Sequence, residues 1–161
     1  MINNERVPPW YPLKRPMFTF LVIDQSGIPL FSYPQGHQSE ALESNETILV
    51  SGLLIAINNF AREISGDDIR DLTFGSYVVT ISRGRDNTLC VLLCDSDYIS
   101  NVEEAKALHM EITSLLYSAF PDLGKFVHDL THDKVRIESI FKPFYKLKVK
   151  QYIKRQQKLQ N

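Results

Sequence analysis

His128 and His132 stand four apart in the run HDLTHD. On a helix that spacing would bring both imidazoles to one face, where they could share a metal. The zinc-protease pattern fails there, because Asp129 occupies the place of the glutamate that would act as base. The plainer reading is a polar loop near Gly124. Cys90 and Cys94 are also four apart. On a strand they face the same side but lie roughly 13 Å apart, beyond the ~7 Å a disulfide spans. On a helix they could bind a metal, yet no second Cys or His pair has the spacing to complete the site. Core thiols fit them better. His37 and His109 have no partner visible in sequence. Asp67, Asp68, Asp95 and Asp97 would suit a cation, but they follow strand or helix ends beside Ser and Gly, where turn and capping duty explains them. Phosphate-loop, dinucleotide and nucleophile-elbow glycine motifs are all missing. No nucleophile, base and oxyanion donors assemble by sequence. The expectation is a non-enzymatic chain with no catalytic residue, metal or cofactor.

Charge is the next feature able to choose a partner. The 161 residues carry a net charge of −1. After Glu138 there is no acidic residue, while seven basic ones follow: Lys142, Lys146, Lys148, Lys150, Lys154, Arg155 and Lys158. The part before position 142 is therefore acidic. A basic end on an acidic body suits an anionic partner such as phospholipid headgroups, nucleic acid or an acidic protein face. The alternative is a solvated helix end, since cations also suit a helix C-terminus. Lys146, Lys148, Lys150, Lys154 and Arg155 are the candidate contacts for a membrane or other anionic partner. Nucleic acid is disfavoured, because the body is acidic.

The elements that must position these residues follow from composition and pattern. With 43% hydrophobic and 23% charged residues, the chain reads as one ordinary globular domain. At this length it can bury a core without disulfides or metal. The longest apolar run, Leu89 to Cys94, is six residues, far below the ~20 of a bilayer span. The N-terminus lacks the apolar stretch of a secretory signal. A cytoplasmic protein, in places peripheral to membrane, is expected.

Four of the eight prolines fall in residues 1–16, which reads as an extended arm. Residues 17–24 are apolar on both faces, hence a central strand. Residues 28–33 form a second strand at an edge, because Pro29 cannot donate to a ladder. A helix is expected from Asn45, as N-cap, to about Ile64, with Gly66 as its stop. Its docking face would be Leu49, Leu53, Ala56, Ile57, Phe60 and Ile64, widened by Val50, Leu54 and Ala61. Ile48 and Ile55 would then lie on the wet side with Ser51, Asn58, Asn59 and Arg62. Residues 69–74 predict an edge strand, Gly75-Ser76 a hairpin turn, 77–82 a return strand and 88–94 a second central strand. Ser100-x-x-Glu103 opens a helix as a capping box, and Pro121 closes it. Two further helical patterns, about 134–142 and 143–157, are divided by Pro143. The order β-β-α-β-β-β-α-α implies an α+β fold. Its five-stranded, mostly antiparallel sheet would be flanked by helices, with the first and last strands in the middle. The expected parts are a Pro-rich arm over 1–16, a domain over 17–141 and a basic helix or tail over 142–161.

That order, opening with the hairpin MFTFLVIDQSGIPLFSY, resembles the longin (profilin-like) domain family. ILVSGLLIAINNFAREI followed by IRDLTFGSYVVTI is similar to the related roadblock/MglB-type domains. The resemblance covers roughly 17–120 and rests on apolar patterns, a D-x-x-G hairpin and an F-G turn. It implies a non-enzymatic interaction domain in small-GTPase regulation or membrane traffic, as vesicle-trafficking scaffold, tether or adaptor-complex small subunit. It also implies a partner domain of longin or roadblock type, in a homo- or heterodimer. Isoleucines on the wet side of the first helix point the same way, since they imply burial against a second layer. Ile48, Ser51, Ile55 and Asn59, with Arg70 and Leu72 on the edge strand, are the candidate partner contacts. A rival reading is a small-molecule sensor with a pocket between sheet and helices. Its only polar candidates are Thr19, Thr80 and the cysteines.

Overall fold

The computed structural model describes residues 7–34 and 40–160, with the side chains of 40–49, 74 and 123 left out. Five strands form one sheet: β1 (Phe18–Ile23), β2 (Pro29–Tyr33), β3 (Asp71–Phe74), β4 (Tyr77–Arg83) and β5 (Leu89–Asp95). Their order is β2-β1-β5-β4-β3, antiparallel throughout. The two strands apolar on both faces, β1 and β5, lie side by side in the centre, and β2 and β3 take the edges as expected. Gly75 has a φ of +53° in the β3–β4 turn, a backbone that glycine adopts without a steric penalty.

Alternation along the strands makes two different faces. One carries Leu21, Ile23, Val79, Ile81, Leu89 and Val91, and packs on α1 (Glu40–Ser65) through Leu54. The other carries Phe18, Phe20, Val22, Val78, Cys90, Leu92 and Cys94. It is covered by α2 (Val102–Ala119), α3 (Phe126–His132) and α4 (Lys134–Gln160). Cys90 and Cys94 are free and fully buried there, and burial pushes their thiols up to about 11 and about 12.

Several expectations need correction. α1 starts at Glu40, so Asn45 lies inside the helix. The preceding Glu, Ala and Leu are good helix formers that extend it. The cap of α2 is Asn101, whose side chain accepts from the N–H groups of Glu103 and Glu104, and not Ser100. The HDLTH segment is helical, as α3, because Phe126 and Leu130 bury one side of it. Pro143 does not divide the last helix: α4 runs through it. Ile137 and Phe141 before it and Tyr145 and Val149 after it form one buried line, and this packing outweighs the lost backbone hydrogen bond. The expected boundary at 141/142 thus falls inside α4. Residues 1–6 of the expected arm lie outside the described residues; residues 8–13 make turns and are not extended, with Tyr11 N–H donating to Pro8 and Leu13 N–H to Trp10. Arg15 ties this segment down by ion pairs with Asp95 and Asp97.

The face of α1 that meets the sheet also differs from expectation. Leu54 is buried as expected, but so are Ser51 and Asn58, and Ile55 is half-buried, whereas Leu53, Phe60 and Ile64 are 58%, 65% and 70% exposed. Two local features set this rotation. Asn58 Oδ1 accepts the Ile69 N–H (2.9 Å) and its Nδ2 donates to Asp68 (3.1 Å), which satisfies the α1–β3 connection only if Asn58 faces inward. In addition, the Gly27 turn approaches Gly52 and Ile55 closely; a Cβ at Gly27 would sit 3.5 Å from the Gly52 Cα.

Candidate interaction surfaces

The rotation of α1 rearranges the candidate partner residues. Ser51 is buried against the sheet, and its Oγ has no hydrogen-bond partner among the described residues. Ile55 also turns inward, so neither faces a partner. Asn59 and Arg70 are exposed; the carbonyl of Arg70 accepts from the Ile81 N–H. Leu72 packs against the α1-side core. The side chain of Ile48 lies outside the described residues. What α1 presents to solvent is the stripe Leu53, Ala56, Phe60 and Ile64, flanked by the half-buried Ile57 and Ala61. The periodicity was visible in the sequence. Its direction was not, because the deciding signal is a hydrogen-bond demand made by Ile69 and Asp68.

The basic residues of α4 separate into two sets. Lys148 pairs with Glu111 of α2 (2.8 Å), and Arg155 pairs with Glu104 (2.7 Å). These two seat α4 against α2. Lys146, Lys150, Lys154 and Lys158 are exposed, and no ion pair is formed by them among the described residues. Tyr145 anchors the helix from beneath: its hydroxyl accepts from the Phe18 N–H (2.9 Å) and donates to the Phe18 C=O (2.7 Å). Its ring also stacks on that of Phe18 with centroids 4.2 Å apart.

A groove of about 520 Å³ lies beyond the short β3, between α2 and the α1–β3 connection, lined among others by Arg70, Ser82, Arg83, Lys106, His109 and Met110. At its floor His109 Nδ1 is 2.9 Å from Thr80 Oγ1, and Nε2 is 2.7 Å from Ser82 Oγ. A neutral ring donates at one nitrogen and accepts at the other, so both hydroxyls are matched. Burial lowers the His109 pKa to about 4, which makes it a weak base at neutral pH. At the rim Arg83 binds Asp68 through two nitrogens (3.1 and 3.0 Å). That contact, with Asn58, holds the Asp68 carboxyl down at about 2. Lys106 pairs with Asp71. His109, Thr80 and Ser82 at the floor, and Asp68 and Arg83 at the rim, are thus matched to one another. His128 and His132 stack at 4.3 Å on α3, and among the described residues no group of three or more His, Cys, Asp or Glu could hold a metal. No described helix is long and apolar enough to cross a membrane.

No protein-family model matches the chain, and no curated protein does. Among solved structures it is similar to one described as "MglB with tetrameric arrangement". The identity is 14% and the TM-score 0.40, over 70% of this chain and 78% of that one. The α+β architecture itself, a five-stranded antiparallel sheet flanked by helices, is that expected from sequence.

Proposed function

We propose that this chain is a non-enzymatic interaction domain of longin type that pairs through the exposed stripe of α1 with a second copy of itself. The observation that carries this reading is the arrangement of the stripe. Its apolar residues are symmetric about the midpoint between Asn58 and Asn59: Leu53 mirrors Ile64, Ala56 mirrors Ala61, and Ile57 mirrors Phe60. Two antiparallel copies of α1 would set large against large and small against small. A two-fold interface makes each such contact twice, since residue i meets j while j meets i. Three large side chains more than half exposed on one helix face form an apolar patch of the kind that marks an interaction site. One helix pair buries less than the ~1,200 Å² of a standard interface. Micromolar association is therefore expected, with the β3 edge at Arg70 and Leu72 adding contact. The near-neutral, hydroxyl-bound His109 supports a binding role over a catalytic one. The resemblance over 17–120 supports a small GTPase as the protein the pair would serve, on the cytoplasmic side of a membrane, with the basic end of α4 holding it near anionic lipid.

Sedimentation velocity at tens of micromolar tests the pairing. Wild type should sediment as a concentration-dependent dimer and Phe60→Asp as a monomer with an unchanged melting curve. A wild type that stays monomeric at those concentrations refutes the reading. Adding GDP- and GTP-loaded GTPases to the wild type then tests the second half, where binding to one nucleotide state is expected.

A further inference from the structure

We propose that His128 and His132 form a binding site for a divalent metal ion of the zinc type, held between their two Nε2 atoms. The site stands on α3 alone and does not depend on the pairing proposed above.

A spacing of four carries no meaning in a loop. α3 gives it one, because residues four apart on a helix have Cβ atoms about 5–6 Å apart on one face. Phe126 and Leu130 are buried on the side of α3 that meets the core. Each stands two positions before one of the histidines, and two positions along a helix is about 200°. The histidines therefore fall on the opposite side, and both are exposed. The helix is pinned from beneath while its two imidazoles stand in water. Their rings stack nearly parallel, with 4.3 Å between centroids and 17° between planes.

Two imidazoles bind one ion only if each turns a lone pair toward it, so the tautomer decides. His132 Nδ1 lies 2.9 Å from the His128 C=O. A carbonyl can only accept, so this Nδ1 carries the proton. The Thr131 hydroxyl, 2.9 Å from the same Nδ1, is then free to donate to the Val127 C=O (3.0 Å). His128 Nδ1 lies 3.6 Å from the Asp129 carboxylate, which favours the proton on that nitrogen too. Both rings are thus left with the lone pair on Nε2. Metal-binding histidines share this arrangement: the nitrogen that does not bind the metal donates to a backbone carbonyl or a carboxylate. Here both acceptors belong to the same turn of helix as the ligands, so the orientation is set before an ion arrives. An ion ~2.0–2.1 Å from each Nε2 in tetrahedral geometry needs the two nitrogens about 3.4 Å apart. Exposed, stacked rings reach that separation by tilting together at one edge. Among the described residues no third His, Cys, Asp or Glu completes the group, so water fills the remaining positions. Imidazole ligands select zinc, copper or nickel over magnesium or calcium. His109 does not compete, because Thr80 and Ser82 engage both of its ring nitrogens.

Calorimetric titration of the full chain with zinc chloride tests the site, with His128→Gln, His132→Gln and the double variant beside wild type. Melting curves of all four in EDTA should coincide, since both side chains are exposed. Wild type should bind one zinc ion that the double variant does not. Each single variant should bind it at least about tenfold more weakly, the least that even an outer partner of a metal ligand contributes. Excess zinc should raise the melting temperature of wild type, because the ion binds the folded state, and leave the double variant unmoved. Nitrogen NMR of the wild type adds a readout that needs no variant. Without metal, His132 should be the Nδ1–H tautomer, and zinc should shift the Nε2 resonances of both rings. Zinc binding of equal strength in the double variant, an adventitious ion only, overturns the site. So does a loss confined to one of the single variants, an Nε2–H tautomer at His132, or a wild type that takes up no zinc.

Discussion

α1 and α4 are almost equal in length, 26 and 27 residues, and each lies on one face of the same sheet. They differ in what selects the side that docks. α4 has one apolar side, the buried line Ile137, Phe141, Tyr145 and Val149 flanked by the half-buried Ile140, Phe144, Tyr152 and Ile153, and lysines beside it that must stay wet. Only one rotation buries the first and solvates the second. α1 is apolar on more than half its circumference, so hydrophobicity permits two rotations. Asn58 and the close approach of the Gly27 turn choose between them. Where a helix has two apolar sides, the choice is made by the polar group that must be satisfied, because an unmet buried N–H costs more than the difference between two apolar contacts gains. The side left over becomes surface available for a partner.

The largest test of this contrast is Phe141→Ala. The ring sits among Phe20, Phe31 and Tyr33 at centroid distances of 6.4, 5.6 and 5.8 Å. Its loss should cost about 3–5 kcal/mol in urea unfolding. Leu147→Ala, six residues further along the wet side, should stay within ~0.5 kcal/mol. Similar costs for the two would mean that α4 has no preferred side.

Much of this was readable in advance, and the failures share a cause. The strand order followed from which runs were apolar on both faces and from Pro29, both local properties. The core cysteines and the glycine turns were legible for the same reason. What the chain order concealed was long-range polar matching: Asn58 with Ile69 and Asp68, His109 with Thr80 and Ser82, Tyr145 with the backbone of Phe18. Each joins residues whose need for one another exists only once the sheet is built. Of the candidate residues on α1, Ser51 and Ile55 therefore fall on the side that packs on the sheet. On α4 the five candidate basic residues were exposed or near the surface, but two serve to hold the helix in place.

Two polar residues on the buried side of α1 sharpen the point in opposite directions. Asn58→Ala leaves the Ile69 N–H without its acceptor and should cost about 2 kcal/mol. Ser51→Ala removes a buried hydroxyl that has no partner, and should be neutral or stabilising by up to about 1 kcal/mol. Equal losses would show that burial alone, and not hydrogen bonding, orients the helix.

The other face of the sheet carries its polar matching on a group that titrates. His109 is buried and its pKa is about 4 when folded, against an ordinary value of 6.5. Between those values the unfolded chain binds a proton that the folded chain does not, so stability falls as pH falls. From pH 7 to pH 5 the loss should be about 2 kcal/mol. Asp68, held down at about 2 from 3.8, adds its own loss only below that window. His109→Gln, which keeps hydrogen-bonding groups but cannot charge, should flatten the dependence between pH 5 and 7 in thermal melts. A slope as steep as that of wild type would show that His109 does not carry the effect.

The smallest expected effect is the one that separates the two sides of α1. Phe60 and Leu54 are six residues apart on one helix, with Phe60 65% exposed and Leu54 3%. Leu54→Ala removes atoms packed on the sheet and should cost about 2–4 kcal/mol. Phe60→Ala removes more carbon, yet in dilute monomer it should change stability by less than ~0.5 kcal/mol, because that ring is already in water. The difference should shrink as protein concentration rises. If copies pair through the stripe, burial of Phe60 in the dimer adds to apparent stability by mass action, and wild type should pull ahead of Phe60→Ala at high concentration only. A gap between the two that is large and independent of concentration would place the stripe inside the monomer's own core and leave α1 with no free side to offer.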